Sequence, residues 1–165
     1  MGSGISDIYT GTNGGSQPYA PSYQVTPDML QYDKNRGVYH DGHYDKNPTA
    51  RNINDSINGD YIENKQYSDQ NLTYAIDMQG NIIIGKRNGN GRDGIATPHP
   101  TLIGGKNPEV QVAGILDIRG GKIYSYDNQS GHFKPNAKSL EAADKAFGKL
   151  PRKLFHKDFK GGKNK

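Results

Sequence analysis

The sequence predicts an α+β domain in which short N-terminal helices precede a four-stranded antiparallel meander, with a C-terminal helix packed on the sheet. Three observations predict it. "NLTYAIDM" and "IIIGKR" are apolar, strand-like runs joined by the turn residues Gln79-Gly80-Asn81. "EVQVAGILDIR" and "KIYSYDN" form a second such pair around Gly120-Gly121. From Ala137 to about Lys149, Leu140, Ala143, Phe147 and Leu150 recur at helical spacing, and Pro151 stops the pattern.

The elements follow in chain order. Residues 1–25 are rich in Gly, Ser, Tyr and Pro without lasting periodicity, which reads as a linker or a strap laid over the domain surface. The opening "MGSG" reads as a leftover linker, so the chain reads as an excised module: a single domain over residues 26–165, with a basic tail from about 151. "TPDMLQYDKNR" predicts a short helix, with Thr26 at the N-cap, Pro27 at the first helical position and Asp28 complementing the dipole. "VYHDGHYDKN" predicts a turn at Asp41-Gly42, and "NPTARNINDSING" a second short helix capped by Asn47, started by Pro48 and followed by Gly59. In "NLTYAIDM", Leu72, Tyr74, Ile76 and Met78 fall on one strand face. A glycine-rich loop of about twenty residues, "NGNGRDGIATPHPTLIGGKNP", separates the two hairpins; loops that long in compact domains are functional or disordered. Asn136 caps the final helix.

Composition narrows the chemistry. At 165 residues the chain suits one domain, and a hydrophobic share of only 32% leaves tyrosine rings to do much of the packing. With no Cys, disulfides, thiolate catalysis and cysteine-based zinc sites are excluded. No apolar run approaches the ~20 residues needed to cross a bilayer and no signal-like start is present, so no membrane insertion is expected, and a monomer is. The net charge of +4 is unevenly divided. Residues 1–85 hold 5 Lys/Arg and 10 Asp/Glu, net −5, while residues 86–165 hold 16 and 7, net +9. That asymmetry fits either a C-terminal half facing an anionic partner, nucleic acid above all, or a solvated lysine tail.

Two histidines stand in unusual loops. His132 follows Ser130 and Gly131 after a strand, and just ahead lies a helix start whose free N–H groups suit an anion, with Lys134 beside it. His99 is held between Pro98 and Pro100; Thr101 supplies a hydroxyl, Gly104 and Gly105 permit close approach, and Lys86, Arg87 and Lys106 bring charge from either side. Two histidines and a cation suffice to cleave RNA without a metal: one ring takes the 2′-OH proton, the other protonates the leaving oxygen, and the cation steadies the phosphorane. The candidate catalytic set is therefore His99, His132, Lys86, Arg87, Thr101 and Ser130. The candidate substrate contacts are Lys106, Lys134, Gly104, Gly105, Gly131 and Asn128. The plain alternative is that each histidine is structural and bonds a loop carbonyl. His40-x-x-His43 with Asp41 and Asp45 has a spacing that suits a metal, but no sequence-local partner completes it; no metal site is expected. His156 in the tail reads as solvated. "GKRNGNGRDG" lacks the Gly-Lys-Ser/Thr ending of a phosphate loop.

Taken together, "YTGTNGGSQPYAPSYQVTPDML", "KNPTA", "PHPTLIGG", "VAGILDIRGGKI" and "DNQSGHFKP" resemble C-terminal toxin domains of bacterial polymorphic toxins, and the resemblance covers most of the chain. It implies a domain carried at the end of a large secreted or contact-delivered protein, often of the Rhs/YD-repeat kind, acting in the target cytoplasm and paired with a cognate immunity protein. It associates the histidine–Ser/Thr stretch with His99 and Thr101, and the Ser-Gly-His-aromatic stretch with Ser130, Gly131, His132 and Phe133. Similar sequences often carry Ala-Gly-Glu where this chain has Ala113-Gly114-Ile115, which counts against an activity that needs that Glu. "DIYTGTNGG" also resembles the aromatic-x-Gly-Thr turn that begins some NAD-binding toxin folds.

Three readings stand. The first is a metal-independent ribonuclease toxin that needs no cofactor and acts on RNA. The second is an ADP-ribosyltransferase using NAD, with Asp117 and Glu109 as candidate carboxylates. The third is a binding or delivery module with structural histidines.

Overall fold

The computed structural model describes residues 22–63 and 69–165. Its elements are β1 (Tyr23–Gln24), α1 (Pro27–Asn35), β2 (Tyr39–His40), β3 (His43–Tyr44), β4 (Arg51–Asn52), β5 (Ile57–Asn58), β6 (Tyr61–Ile62), β7 (Asp69–Ile76), β8 (Ile82–Gly85), β9 (Glu109–Val110), β10 (Val112–Arg119), β11 (Lys122–Asp127), α2 (Leu140–Phe147) and β12 (Gly161–Lys163). Helices and strands coexist as predicted, but the sheet is not a four-stranded meander. It has six strands in the order β12-β11-β10-β7-β8-β4, with β12 parallel to β11 and the remaining pairs antiparallel.

The two predicted hairpins, β7–β8 and β10–β11, both form; what differs is how they join. A meander would set β10 against β8. Instead β10 pairs with β7 over eight residues, from Val112↔Ile76 to Arg119↔Asp69. β8 has only four residues and gives its outer edge to β4. The long free edge of β7 offers more cross-strand pairs than the short β8, so pairing energy favours the observed order.

That order makes β7 a central strand covered on both faces. Leu72, Tyr74 and Ile76 join the larger core, which packs beneath Ala143 and Phe147 of α2. Ala75 joins a second core on the other face with Leu102, Val110, Ala113 and Phe133. The alternation expected of a one-faced strand is thus replaced by an unbroken buried run from Leu72 to Ile76, and Met78 lies beyond the strand in the turn. Tyrosine does contribute to packing: the Tyr126 ring stacks on Phe147 at 4.2 Å, and Tyr74 meets the same ring edge-on at 5.4 Å.

Two other local expectations change. The segment 47–59 is not a helix; it runs through β4, a 3-10 turn (Ile53–Ser56) and β5. The Asn47 side chain caps nothing helical. It closes a turn by accepting from Thr49 N at 2.8 Å and donates to Lys86 O at 3.0 Å, which ties this segment to the end of β8. The basic tail is not merely a solvated appendage: Leu154 is buried in the larger core and β12 extends the sheet. His156 there rests edge-on against Tyr124 at 5.3 Å. The final helix keeps its predicted cap and stop, with Asn136 Oδ1 accepting from Lys138 N, a 3-10 turn (Ala137–Ser139) leading into α2, and Pro151 shortly beyond. Of the predicted N-terminal strap, Tyr23 and Gln24 pair with β9, and residues 1–21 lie outside the described residues. Among the described residues, no helix is long and apolar enough to cross a membrane.

Candidate active site

Helix α1 forms as predicted over Pro27–Asn35, with Thr26 in the extended cap position, yet its one buried residue is an aspartate. Asp33 is fully buried, and a lone buried carboxylate is costly, so its surroundings must compensate. Three donors converge on it. Tyr44 donates its hydroxyl to Oδ2 at 2.6 Å, Arg36 donates to Oδ1 at 3.1 Å, and His132 Nε2 lies 2.9 Å from Oδ2 and 3.1 Å from Oδ1. Burial by itself would raise the Asp33 pKa, but the hydrogen bonds from His132 and Tyr44, with the His132 charge and Arg36, outweigh it and hold the group below the ordinary carboxylate value. The same burial, together with the Asp33 charge, pushes the Tyr44 phenol far up, so it stays a protonated donor.

Backbone geometry delivers each partner. β2 and β3 form a two-residue hairpin whose Asp41 and Gly42 both adopt positive φ (51° and 81°), which places Tyr44 facing the helix. The loop after β11 is stapled to the start of α1 by Thr26 N donating to His132 O at 3.0 Å. Because Asp33 accepts at Nε2, Nε2 carries a proton and Nδ1 of His132 is left as the chemically open nitrogen.

His99 lies at the start of a 3-10 turn (His99–Leu102) that seals the second face of the sheet. Its Nε2 donates to the Gly114 carbonyl of β10 at 2.8 Å, which again leaves Nδ1 as the open nitrogen. Burial lowers its pKa to about 4, partly offset by the bond to Gly114, so the ring is neutral at physiological pH. Leu102, at the end of the His99 turn, and Phe133, beside His132, belong to one buried cluster, which brings the two loops to the same face of the sheet, and the charges of His132, Asp127 and Arg87 act on the His99 ring. The proline frame is used, but Thr101 spends its hydroxyl inside that turn, donating to Pro98 O at 2.6 Å.

Gly114 is a required glycine: a Cβ there would run into the carbonyl of Asp127. The close approach lets the Asp127 carboxylate accept from Ile115 N at 2.8 Å and from Gln129 N at 2.9 Å. Asp127 thereby brings a carboxylate to the Gly114–Ile115 stretch of β10.

The remaining candidates divide. Arg87 is exposed and its charge acts on His99, whereas the charge of Lys86 acts on Glu63, the partner of Arg51. Ser130 is buried, with Oγ accepting from Phe133 N at 3.4 Å, and Gly131 beside it is exposed with open space at its Cβ position. Lys134 has a left-handed backbone (φ 46°) and reaches Asp28 at 3.9 Å on the surface. Gly104 and Gly105 take positive φ so that Gly105 can pair with Tyr44; they shape the His99 turn against the β2–β3 hairpin. Lys106 is exposed and its carbonyl accepts from Tyr39. Asn128 is buried and engaged with the chain end, donating to Asn164 Oδ1 at 2.9 Å and accepting from Lys165 N at 2.8 Å. The Asp117 carboxylate is held by Arg119 toward the Gly120-Gly121 turn, and Glu109 lines a separate recess with Lys46 and Asp77.

Sequence reasoning missed Asp33, Tyr44 and Asp127. One signal for Asp33 was present: it lies three and four residues beyond Leu30 and Met29, on the helix face that should be apolar. Compared with models of protein families, with curated proteins and with solved structures, the chain matches none of them.

Proposed function

We propose that this chain is the catalytic toxin domain of a delivered bacterial effector and that it cleaves RNA by metal-independent acid–base chemistry. One observation carries the reading: the His99 turn and the His132 loop share one buried cluster through Leu102 and Phe133, and each ring has Nε2 engaged by the protein and Nδ1 left open. Neutral His99 takes the 2′-OH proton at Nδ1. The 2′-oxygen attacks phosphorus, the bond to the 5′-oxygen breaks, and His132 delivers a proton to that leaving oxygen, giving a 2′,3′-cyclic phosphate. Asp33 orients the His132 ring and supplies its counter-charge, as a buried carboxylate does for other catalytic histidines. Arg87 is the cation placed to stabilise the phosphorane. The partners implied are RNA and a cognate immunity protein.

The test is inducible expression of the wild type, His99→Ala and His132→Ala in a bacterium, with total RNA resolved on a gel and folding of each variant checked by circular dichroism. Rapid fragmentation that either substitution abolishes supports the reading. Toxicity with intact RNA overturns it. In that case the NAD-dependent reading takes its place, because Asp127 beside Gly114 supplies a carboxylate near His99 where Asp117 and Glu109 do not. Transfer of label from NAD to a cellular target then decides. Absence of toxicity favours a binding module.

A further inference from the structure

The β2–β3 hairpin carries a second histidine cluster. His40 and His43 are direct cross-strand partners with ring centroids 4.9 Å apart, because the tight turn at Asp41-Gly42 forces them onto one face. Asp45 follows two residues later, and each of its carboxylate oxygens meets one ring: Oδ2 at 2.8 Å from His40 Nε2, and Oδ1 at 3.0 Å from His43 Nε2. One ligand atom from each of the three side chains can be chosen so that all lie within 4.8 Å of one another.

We propose that His40, His43 and Asp45 form a binding site for a divalent transition-metal ion of borderline softness, zinc first. Two imidazoles and a carboxylate match the ligand preference of such ions, and in a tetrahedral site with bonds of ~2.0–2.1 Å adjacent ligand atoms stand about 3.3 Å apart. The nitrogen–oxygen separations of 2.8 and 3.0 Å are already close to that spacing. The outer contacts point the same way. His40 Nδ1 lies 3.0 Å from Asp41 Oδ2, and His43 Nδ1 lies 3.4 Å from the Asp41 carbonyl, so one residue faces the far nitrogen of both rings. That is how metal-ligating histidines are ordinarily oriented, with Nε2 left for the ion. Arg92 bonds Asp45 Oδ2 at 3.1 Å and the Gly37 carbonyl at 2.9 Å. Its charge opposes a cation, which moderates affinity, and it fixes the carboxylate through the oxygen shared with His40. His43 and Asp45 are 43% and 39% exposed at their side chains, so the ion keeps at least one water-filled position. The neighbouring residue, Tyr44, bonds Asp33 and pairs with Gly105, so an ion here clamps the hairpin that supports the catalytic end.

The experiment is calorimetric titration of the full 165-residue chain, stripped with chelator, with zinc chloride at neutral pH, alongside thermal melts with and without zinc. One equivalent should bind and raise the melting temperature. His43→Ala and Asp45→Ala should each weaken binding by about 100-fold or more, and Asp41→Asn by about 10-fold, as expected for ligands and for their orienting partner. His156→Ala, outside the cluster, should bind as the wild type does. Circular dichroism of the zinc-free variants identifies any that fail to fold, and the well-exposed His43 is the variant least exposed to that failure. Absence of one-equivalent binding overturns the proposal, as does binding that His43→Ala leaves unchanged. Cleavage of RNA is not part of this readout, so the result stands apart from the ribonuclease reading.

Discussion

Asp33→Asn is the most informative single substitution. It preserves shape but replaces two acceptor oxygens with one acceptor and one donor, facing His132, Tyr44 and Arg36, all of which donate. At least one donor must then point at an NH2 group in a fully buried site. Losing a charge-assisted bond costs about 1.5–3 kcal/mol, and leaving a buried donor unpaired about 1–3 kcal/mol more, so the sum is roughly 2.5–6 kcal/mol. For a chain of this size each kcal/mol is worth about 2–4 °C, which puts the fall in Tm at roughly 5–24 °C. The pH dependence adds a second readout. The folded pKa of Asp33 is lowered, so its contribution is present above the unfolded value of about 3.9 and is lost as pH falls through the folded one. The stability gap between wild type and Asp33→Asn, measured by urea denaturation, should therefore narrow below about pH 4. A gap within ~0.5 kcal/mol at neutral pH, the range of an ordinary surface change, would refute the account of Asp33 as the hub. So would a gap that pH leaves unaltered.

Other outcomes follow from the same geometry. His99 has a folded pKa near 4 against an unfolded value of about 6.5, so it favours folding fully above pH 6.5 and withdraws roughly 3 kcal/mol as pH falls to about 4; His99→Gln should lack that part of the acid-stability profile. Gly114→Ala should unfold the chain or sharply lower its Tm in a thermal melt, because the new Cβ meets the Asp127 backbone carbonyl, which the buried Tyr74 hydroxyl holds in place at 2.6 Å. Arg87→Ala should reduce RNA cleavage by about 100-fold with Tm nearly unchanged, while Lys86→Ala, whose charge acts on Glu63, should cleave nearly as the wild type does.

Local features were legible in the sequence where local physics decides them. Asp41-Gly42 and Gly120-Gly121 announce their hairpins because positive φ is cheap there, and Pro27, Asn136 and Pro151 punctuate α1 and the C-terminal helical segment through their own backbone or capping chemistry. The segment 47–59 misled because Asn47-Pro48 has the form of a helix start, whereas Asn47 is recruited by the end of β8, thirty-nine residues away. The tyrosines, the absence of Cys and the two stiff histidine loops could all be read without coordinates.

What the sequence by itself determined was thus the inventory: two strand pairs, two terminal helices, and the histidines with stiffened backbones. The tertiary structure decided which edges pair and which charges meet. The eight-residue match of β10 with β7 lies far apart in sequence, and so do Asp33 and His132, ninety-nine positions apart. Their pairing depends on the burial of a helix face against a loop. No periodicity records such a meeting, because its energy comes from desolvating a carboxylate among three donors that only the folded chain assembles.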